Sequence, residues 1–193
     1  MSEYIEEYFT KEEMKNCYIN IDDKILKDID DKILKKKGLM VNGKKEGKWI
    51  EGYFNNGFYF YKEINYIDNI KNGKCKEYYE NSNIWIECVY SNNMEECEYI
   101  EYWQNGNIYM KCNYLNDKLD GEYIEYYNNG NIKLICNYKN DKLEGEYKEY
   151  WEDSNINILC YCINNKIEGK FKENMNNYNN EIFIEYYINN NII

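Results

Sequence analysis

Residues 121–144 read "GEYIEYYNNGNIKLICNYKNDKLE". Residues 97–120, "CEYIEYWQNGNIYMKCNYLNDKLD", repeat them nearly position for position. A further shift of 24 places Cys160 on Cys136, as Cys136 falls on Cys112, and one step back reaches Cys88. Anchors at Gly47, Gly73, Cys97, Gly121, Gly145 and Gly169 are spaced 26 residues and then 24 four times. Four residues after each anchor stands a glutamate: Glu51, Glu77, Glu101, Glu125, Glu149 and Glu173. Self-similarity at a fixed period marks a repeat architecture.

Each unit spells a β-hairpin. "EYIEYY" is short, aromatic and β-branched, as strands are. "NNGN" carries Asn-Gly, the strongest short-range hairpin signal. "IKLICNY" is the return strand, and "KNDKLEG" supplies residues that tolerate the turn into the next unit. Two strands and two turns account for the whole period. The expected fold is an all-β repeat, an elongated single-layer antiparallel meander of stacked 24-residue β-hairpins. Strands lie about 4.8 Å apart, so equivalent positions of successive units lie about 9.6 Å apart.

The array is expected over residues 38–193, with about six units, the last shortened: "EIFIEYYINNNII" restarts the strand motif only 12 residues after Gly169. Residues 1–37 depart from the repeat and read as a short N-terminal helical cap or extension. Thr10 and Glu13 have capping-box spacing. Ile21, Ile25, Ile29 and Ile33 form a helical stripe. Lys35–Lys37 followed by Gly38 suit a helix C-terminus. The self-similar "DDKILKDI" and "DDKILKKK" also admit short strands of a degenerate unit.

The pattern "DGxYxEYYxNGxIxxxCNYxNDKxxG" resembles the MORN-repeat family, and is similar above all to the variant repeats of YwqK-type antitoxin-like proteins. The resemblance spans about residues 38–188. It is interrupted where Cys75 and Cys97 replace an aromatic residue and a glycine, and where "EDSN" at 152–155 replaces the Asn-Gly turn. It implies a hairpin scaffold without catalysis. It further implies roles in protein assembly, in membrane tethering, or in neutralising a toxin.

Composition narrows these roles. The chain has 193 residues, net charge −11, no His and no Pro, and its 24 basic residues are all Lys. Nucleic acid and anionic membranes are bound by cationic patches, so no nucleic-acid partner is expected and a membrane-associated scaffold is the least favoured of these roles. A basic protein partner suits the field better. No apolar run reaches the roughly 18 residues of a membrane span, and the N-terminus lacks the pattern of a secretory signal. A cytoplasmic protein with reduced thiols follows as the expectation.

No catalytic, metal or cofactor-binding residue is expected. Histidine is absent, and identical glutamates in identical settings cannot divide acid and base roles. Cys88, Cys112, Cys136 and Cys160, two strands apart, are too distant for a disulfide or a shared zinc, so they read as small apolar filler. A three-residue hairpin loop with Gly130 left-handed sets Glu125 opposite Lys133. It puts the isoleucine, cysteine and Tyr138 columns on one apolar face. The other face then carries Tyr99, Glu101, Trp103, Tyr123, Glu125, Tyr127, Tyr147, Glu149 and Trp151, the candidate interaction face. Tyr and Trp dominate interface hot spots. The function this supports is a non-enzymatic scaffold mediating protein–protein interaction, or else an antitoxin-like inhibitor of a basic protein. An uncovered edge strand templates further pairing, which predicts an end-to-end homodimer.

Overall fold

The computed structural model describes residues 1–10, 12, 13, 33–55, 58–95, 97–174, 182–188, 191 and 192. The chain divides into two compact units, Met1–Met94 and Glu95–Ile193. Among the described residues the architecture is all-β but for a helical turn at residues 12 and 13, and successive strands in each unit pair antiparallel.

The first unit contains β1 (Ser2–Tyr8), β2 (Leu34–Val41), β3 (Lys44–Asn55), β4 (Phe58–Ile67), β5 (Ile70–Tyr78) and β6 (Ile84–Ser91). Each pairs with the next. The two-residue β7 (Met94–Glu95) lies at the boundary. The second unit contains β8 (Cys97–Tyr102), β9 (Ile108–Leu115), β10 (Lys118–Tyr126), β11 (Ile132–Lys139), β12 (Lys142–Leu143), β13 (Gly145–Tyr150), β14 (Ile156–Ile163), β15 (Lys166–Ile167), β16 (Gly169–Asn174), β17 (Ile182–Ile188) and β18 (Asn191–Ile192). Here β8 through β11, β13, β14, β16 and β17 follow one another as hairpin partners, with β12, β15 and β18 as short continuations beside the turns.

The N-terminal region corrects the helical expectation at both its ends. Ser2–Tyr8 is a strand, and Lys35–Lys37 lie within β2 rather than at a helix end. Gly38 is no helix terminator; it sits in mid-strand. A Cβ there would come within 2.3 Å of the Trp49 ring. The indole therefore lies flat over β2, and only glycine leaves room for it. The capping-box pair does form: Thr10 N–H donates to Glu13 Oε2 at 2.9 Å, and Glu13 N–H donates to Thr10 Oγ1 at 3.2 Å. The isoleucine stripe at 21–29 lies outside the described residues.

Two kinds of turn alternate. In "YNNGN" the Tyr127 N–H donates to Asn131 O and the Gly130 N–H to Tyr127 O, at 2.8 and 2.9 Å. This is the three-residue loop read from the sequence, with Gly130 at φ 90°. Trp151–Asn155 closes the same way with Ser154 in the glycine position at φ 70°. So the missing Asn-Gly at 152–155 changes the residue but not the geometry. The other turns are two residues long with both residues left-handed: Asn42-Gly43 at the start, then Asp68-Asn69, Asn92-Asn93, Asn116-Asp117, Asn140-Asp141 and Asn164-Asn165. Asn and Asp tolerate that conformation.

These second turns also clasp one unit to the next. Asp141 N–H donates to Leu119 O at 2.9 Å, and Leu119 N–H donates back to Asp141 Oδ1 at 2.8 Å. Asn165 with Leu143, Asn93 with Lys71 and Asn69 with Lys45 repeat the reciprocal pair. Glycine would meet the backbone requirement but supply no acceptor, which accounts for Asx at the second turn position.

Candidate interaction face

The hairpin register decides which side chains share a face. Tyr126 pairs with Ile132 as the three-residue loop demands, but Glu125 pairs with Leu134, Ile124 with Ile135 and Tyr123 with Cys136. Lys133 is the extra residue of a β-bulge, and a bulge shifts every later partner by one. The same shift occurs beside Tyr102, Tyr150 and Tyr78.

This corrects the division into two faces. The Tyr-Glu-aromatic stripes do not lie opposite the cysteines; they share their face. Ile132 pairs instead with Tyr126, away from Cys136. No spacing rule reveals a bulge, because the sequence stays periodic through it. The gain is local: the bulge sets large Tyr123 against small Cys136 and brings the Lys133 ammonium to 3.0 Å from Glu125 Oε2. The expected Glu125–Lys133 pair is thus made, by a different route.

Three rows cross the second unit on this face. The first alternates large and small: Tyr99 opposite Cys112, Tyr123 between Cys112 and Cys136, Tyr147 opposite Cys160. Cys112 and Cys136 are each 1% exposed. The tyrosines of the row also meet further rings, with Tyr123 edge-on to Tyr138 at 5.5 Å and Tyr99 to Tyr114 at 5.7 Å. Burial pushes the Cys136 and Cys160 thiols up to about 12. They are therefore neutral, unreactive filler at ordinary pH, as their spacing predicts.

The second row alternates carboxylate and aliphatic: Glu101 opposite Met110, Glu125 between Met110 and Leu134, Glu149 between Leu134 and Ile158, and Glu173 beyond Ile158. The carboxylates anchor the tyrosines. Tyr123 Oη donates to Glu125 at 2.8 Å, and Tyr147 Oη to Glu149 at 3.3 Å. Burial, and then the hydrogen bond to Glu125, raises the Tyr123 phenol well above its ordinary value. Asn157 takes the bulge position in the following hairpin and donates to Glu149 at 3.0 Å.

The third row lies along the hairpin loops. Trp103 packs edge-on against Tyr109, the bulge residue of its own hairpin, at 4.6 Å. Tyr127 Oη donates to Tyr150 O at 2.8 Å. The Trp103 and Trp151 indole N–H groups are buried without an acceptor, which costs on the order of 1–3 kcal/mol each. All nine residues singled out from the sequence are half-buried on this one face. The bulge residues Tyr109, Lys133 and Asn157, and the aliphatic residues Met110, Leu134 and Ile158, complete it.

In the first unit the corresponding row runs Trp49, Ile64, Cys75, Cys88. Beside it lie Glu51, Lys62 and Glu77, where Tyr53 Oη donates to Glu77 at 2.6 Å. Burial works against the Glu51 carboxylate, but Lys45, Lys62 and the Tyr66 hydroxyl outweigh it and hold it below its ordinary value.

No group of three or more His, Cys, Asp or Glu among the described residues could hold a metal ion. No helix among them is long and apolar enough to cross a membrane. Arrays of near-identical hairpins, clasped turn to strand within each unit, define a β-hairpin repeat protein. Residues 71–92, 96–116 and 119–140 match the family described as MORN repeat variant. Each match covers one hairpin: β5–β6, β8–β9 and β10–β11. Residues 71–140 therefore carry three consecutive MORN repeats. MORN repeats are non-enzymatic motifs of scaffolds that engage proteins or membranes. No curated protein matches the chain.

Proposed function

We propose that the chain is a non-enzymatic scaffold that holds an extended, basic segment of a partner protein on the Tyr/Glu/Trp face of its second unit. The observation that carries this reading is the row Glu101, Glu125, Glu149, Glu173. It sets one carboxylate on every second strand, about 9.6 Å apart, with aliphatic side chains between. An extended chain of the polyproline-II type advances about 3.1 Å per residue with three residues per turn, so lysines or arginines at every third position share one side and meet successive glutamates. Half-exposed aromatic rings flank the row, and no helix packs over it among the described residues. The net charge of −11 draws such a partner in. The partner's cations share carboxylates that already accept from Tyr123, Lys133, Tyr147 and Asn157, so binding is expected to weaken steeply with salt.

The test is direct binding of synthetic ten-residue peptides by fluorescence anisotropy. A peptide with Lys at every third position is expected to bind at least ~10-fold tighter than one of equal composition with its lysines contiguous, about 1.4 kcal/mol. The triple variant Glu101→Gln, Glu125→Gln, Glu149→Gln keeps acceptors for the tyrosine hydroxyls and is expected to lose that preference. Equal binding of both peptides, or a triple variant that binds as well as the native chain, overturns the assignment. Adsorption to vesicles of anionic lipid in place of peptide binding points to a membrane scaffold instead. An inhibitor of a basic toxin would dock in the same way, and loss of the captured protein's activity on binding would identify it.

A further inference from the structure

Cysteine occupies the small position of the buried row at residues 88, 112, 136 and 160, but one of these sites differs from the rest. Cys112, Cys136 and Cys160 each stand opposite tyrosine. Cys75 and Cys88 stand directly opposite one another in the β5–β6 ladder. Directly opposed residues of antiparallel strands have Cα atoms about 4.5–5.5 Å apart. That falls inside the window of about 4.4–6.8 Å that a disulfide spans. Both side chains point to the same face, both are buried, at 2% and 6% exposure, and neither is in a disulfide. Position 75 belongs to the column filled by Tyr99, Tyr123 and Tyr147, so the pair exists because this one unit lost its aromatic residue.

We propose that Cys75 and Cys88 are a modification site: a peroxide converts the pair into an intramolecular disulfide that locks the β5–β6 hairpin. Burial excludes bulky oxidants and leaves a small peroxide as the reagent that fits. The Cys75 thiolate attacks one peroxide oxygen, the O–O bond breaks, and hydroxide leaves with the electron pair. Cys75 is then a sulfenic acid. The Cys88 sulfur attacks Cys75 Sγ, the S–O bond breaks, and the departing hydroxide takes up the Cys88 proton as water. In sum two thiols and one hydrogen peroxide give one disulfide and two waters. The Cys88 thiol stabilises the Cys75 thiolate by hydrogen bonding against the cost of burial, and Lys62 and Lys71 add to this, so the Cys75 pKa lies below its ordinary value. Cys136 and Cys160 are shifted the opposite way. The same-strand pair Cys160 and Cys162 is a poor rival, because side chains two residues apart on a strand lie about 6.6 Å apart, beyond the Cβ separation a disulfide allows.

Hydrogen peroxide is added to the full-length reduced chain, followed by intact-mass measurement and non-reducing peptide mapping. The expected result is loss of two hydrogens, a bridge mapped to Cys75 and Cys88, reversal by dithiothreitol and a raised melting temperature. In Cys88→Ser, Cys75 is expected to stop at the sulfenic acid and be captured by dimedone. The inference is overturned if the native chain gains oxygen at Cys75 without bridging. It is equally overturned if the bridge maps to Cys160–Cys162 or involves Cys17 or Cys97, or if the folded chain stays fully reduced while unfolded chain oxidises.

Discussion

The two compact units fill the same buried row by opposite means. The first concentrates bulk: Trp49 and Ile64 stand side by side, each 1% exposed, and the indole fits only because Gly38 has no side chain. The second spreads bulk out, with a tyrosine and a cysteine alternating from strand to strand. One sheet layer has little depth for a core, and each solution supplies a roof. In the first unit an indole covers a glycine; in the second, phenol rings stand opposite buried thiols. The first solution is particular to one place, whereas the second can be copied, because every unit presents its neighbour with the same small-and-large edge.

That contrast can be broken from either side. Gly38→Ala drives a Cβ into the Trp49 ring, and overpacking of a tight site costs about 3 kcal/mol. The urea midpoint of the first unit should fall, while the second unit stays folded. An unchanged midpoint would mean the glycine is not what seats the indole. A smaller loss, about 2 kcal/mol, is expected for Cys136→Leu, which puts a branched side chain opposite Tyr123. Cys136→Ala should cost only about 1 kcal/mol. If leucine proves the milder change in thermal melts, size alternation does not organise the row. The smallest effect is a gain. Ser154 takes the left-handed position that Gly130 fills in the preceding hairpin, and Ser154→Gly should stabilise by about 1 kcal/mol. A melting point that falls would show that the serine side chain compensates its backbone.

The period, the hairpins and both turn types were legible because each leaves a mark in residue type: Asn-Gly for the three-residue loop, Asn-Asp for the left-handed pair. The site was half legible. That Tyr123, Glu125 and Tyr127 share one side of their strand was legible, since alternation along one strand needs no partner. Their relation to Cys136 was not, because it depends on the bulge at Lys133, and nothing in "NIKLIC" distinguishes a bulged strand from a flat one. The strands at Ser2–Tyr8 and Leu34–Val41 were hidden for another reason. Lys35–Lys37 and Gly38 suit a helix end locally, and only the distant Trp49 makes that glycine a strand residue.

The clasp between turns bears on how such a chain lengthens. Asn165 supplies an acceptor to Leu143, and Asp141 supplies one to Leu119. Giver and receiver therefore sit at the two ends of the same 24-residue word. An in-frame duplication of one word delivers both halves together, so the new copy docks on the old without any other residue changing. The number of units is then free to drift by whole copies. A two-residue expansion is absorbed within a word, since the longer first step still closes its Asn69–Lys45 clasp.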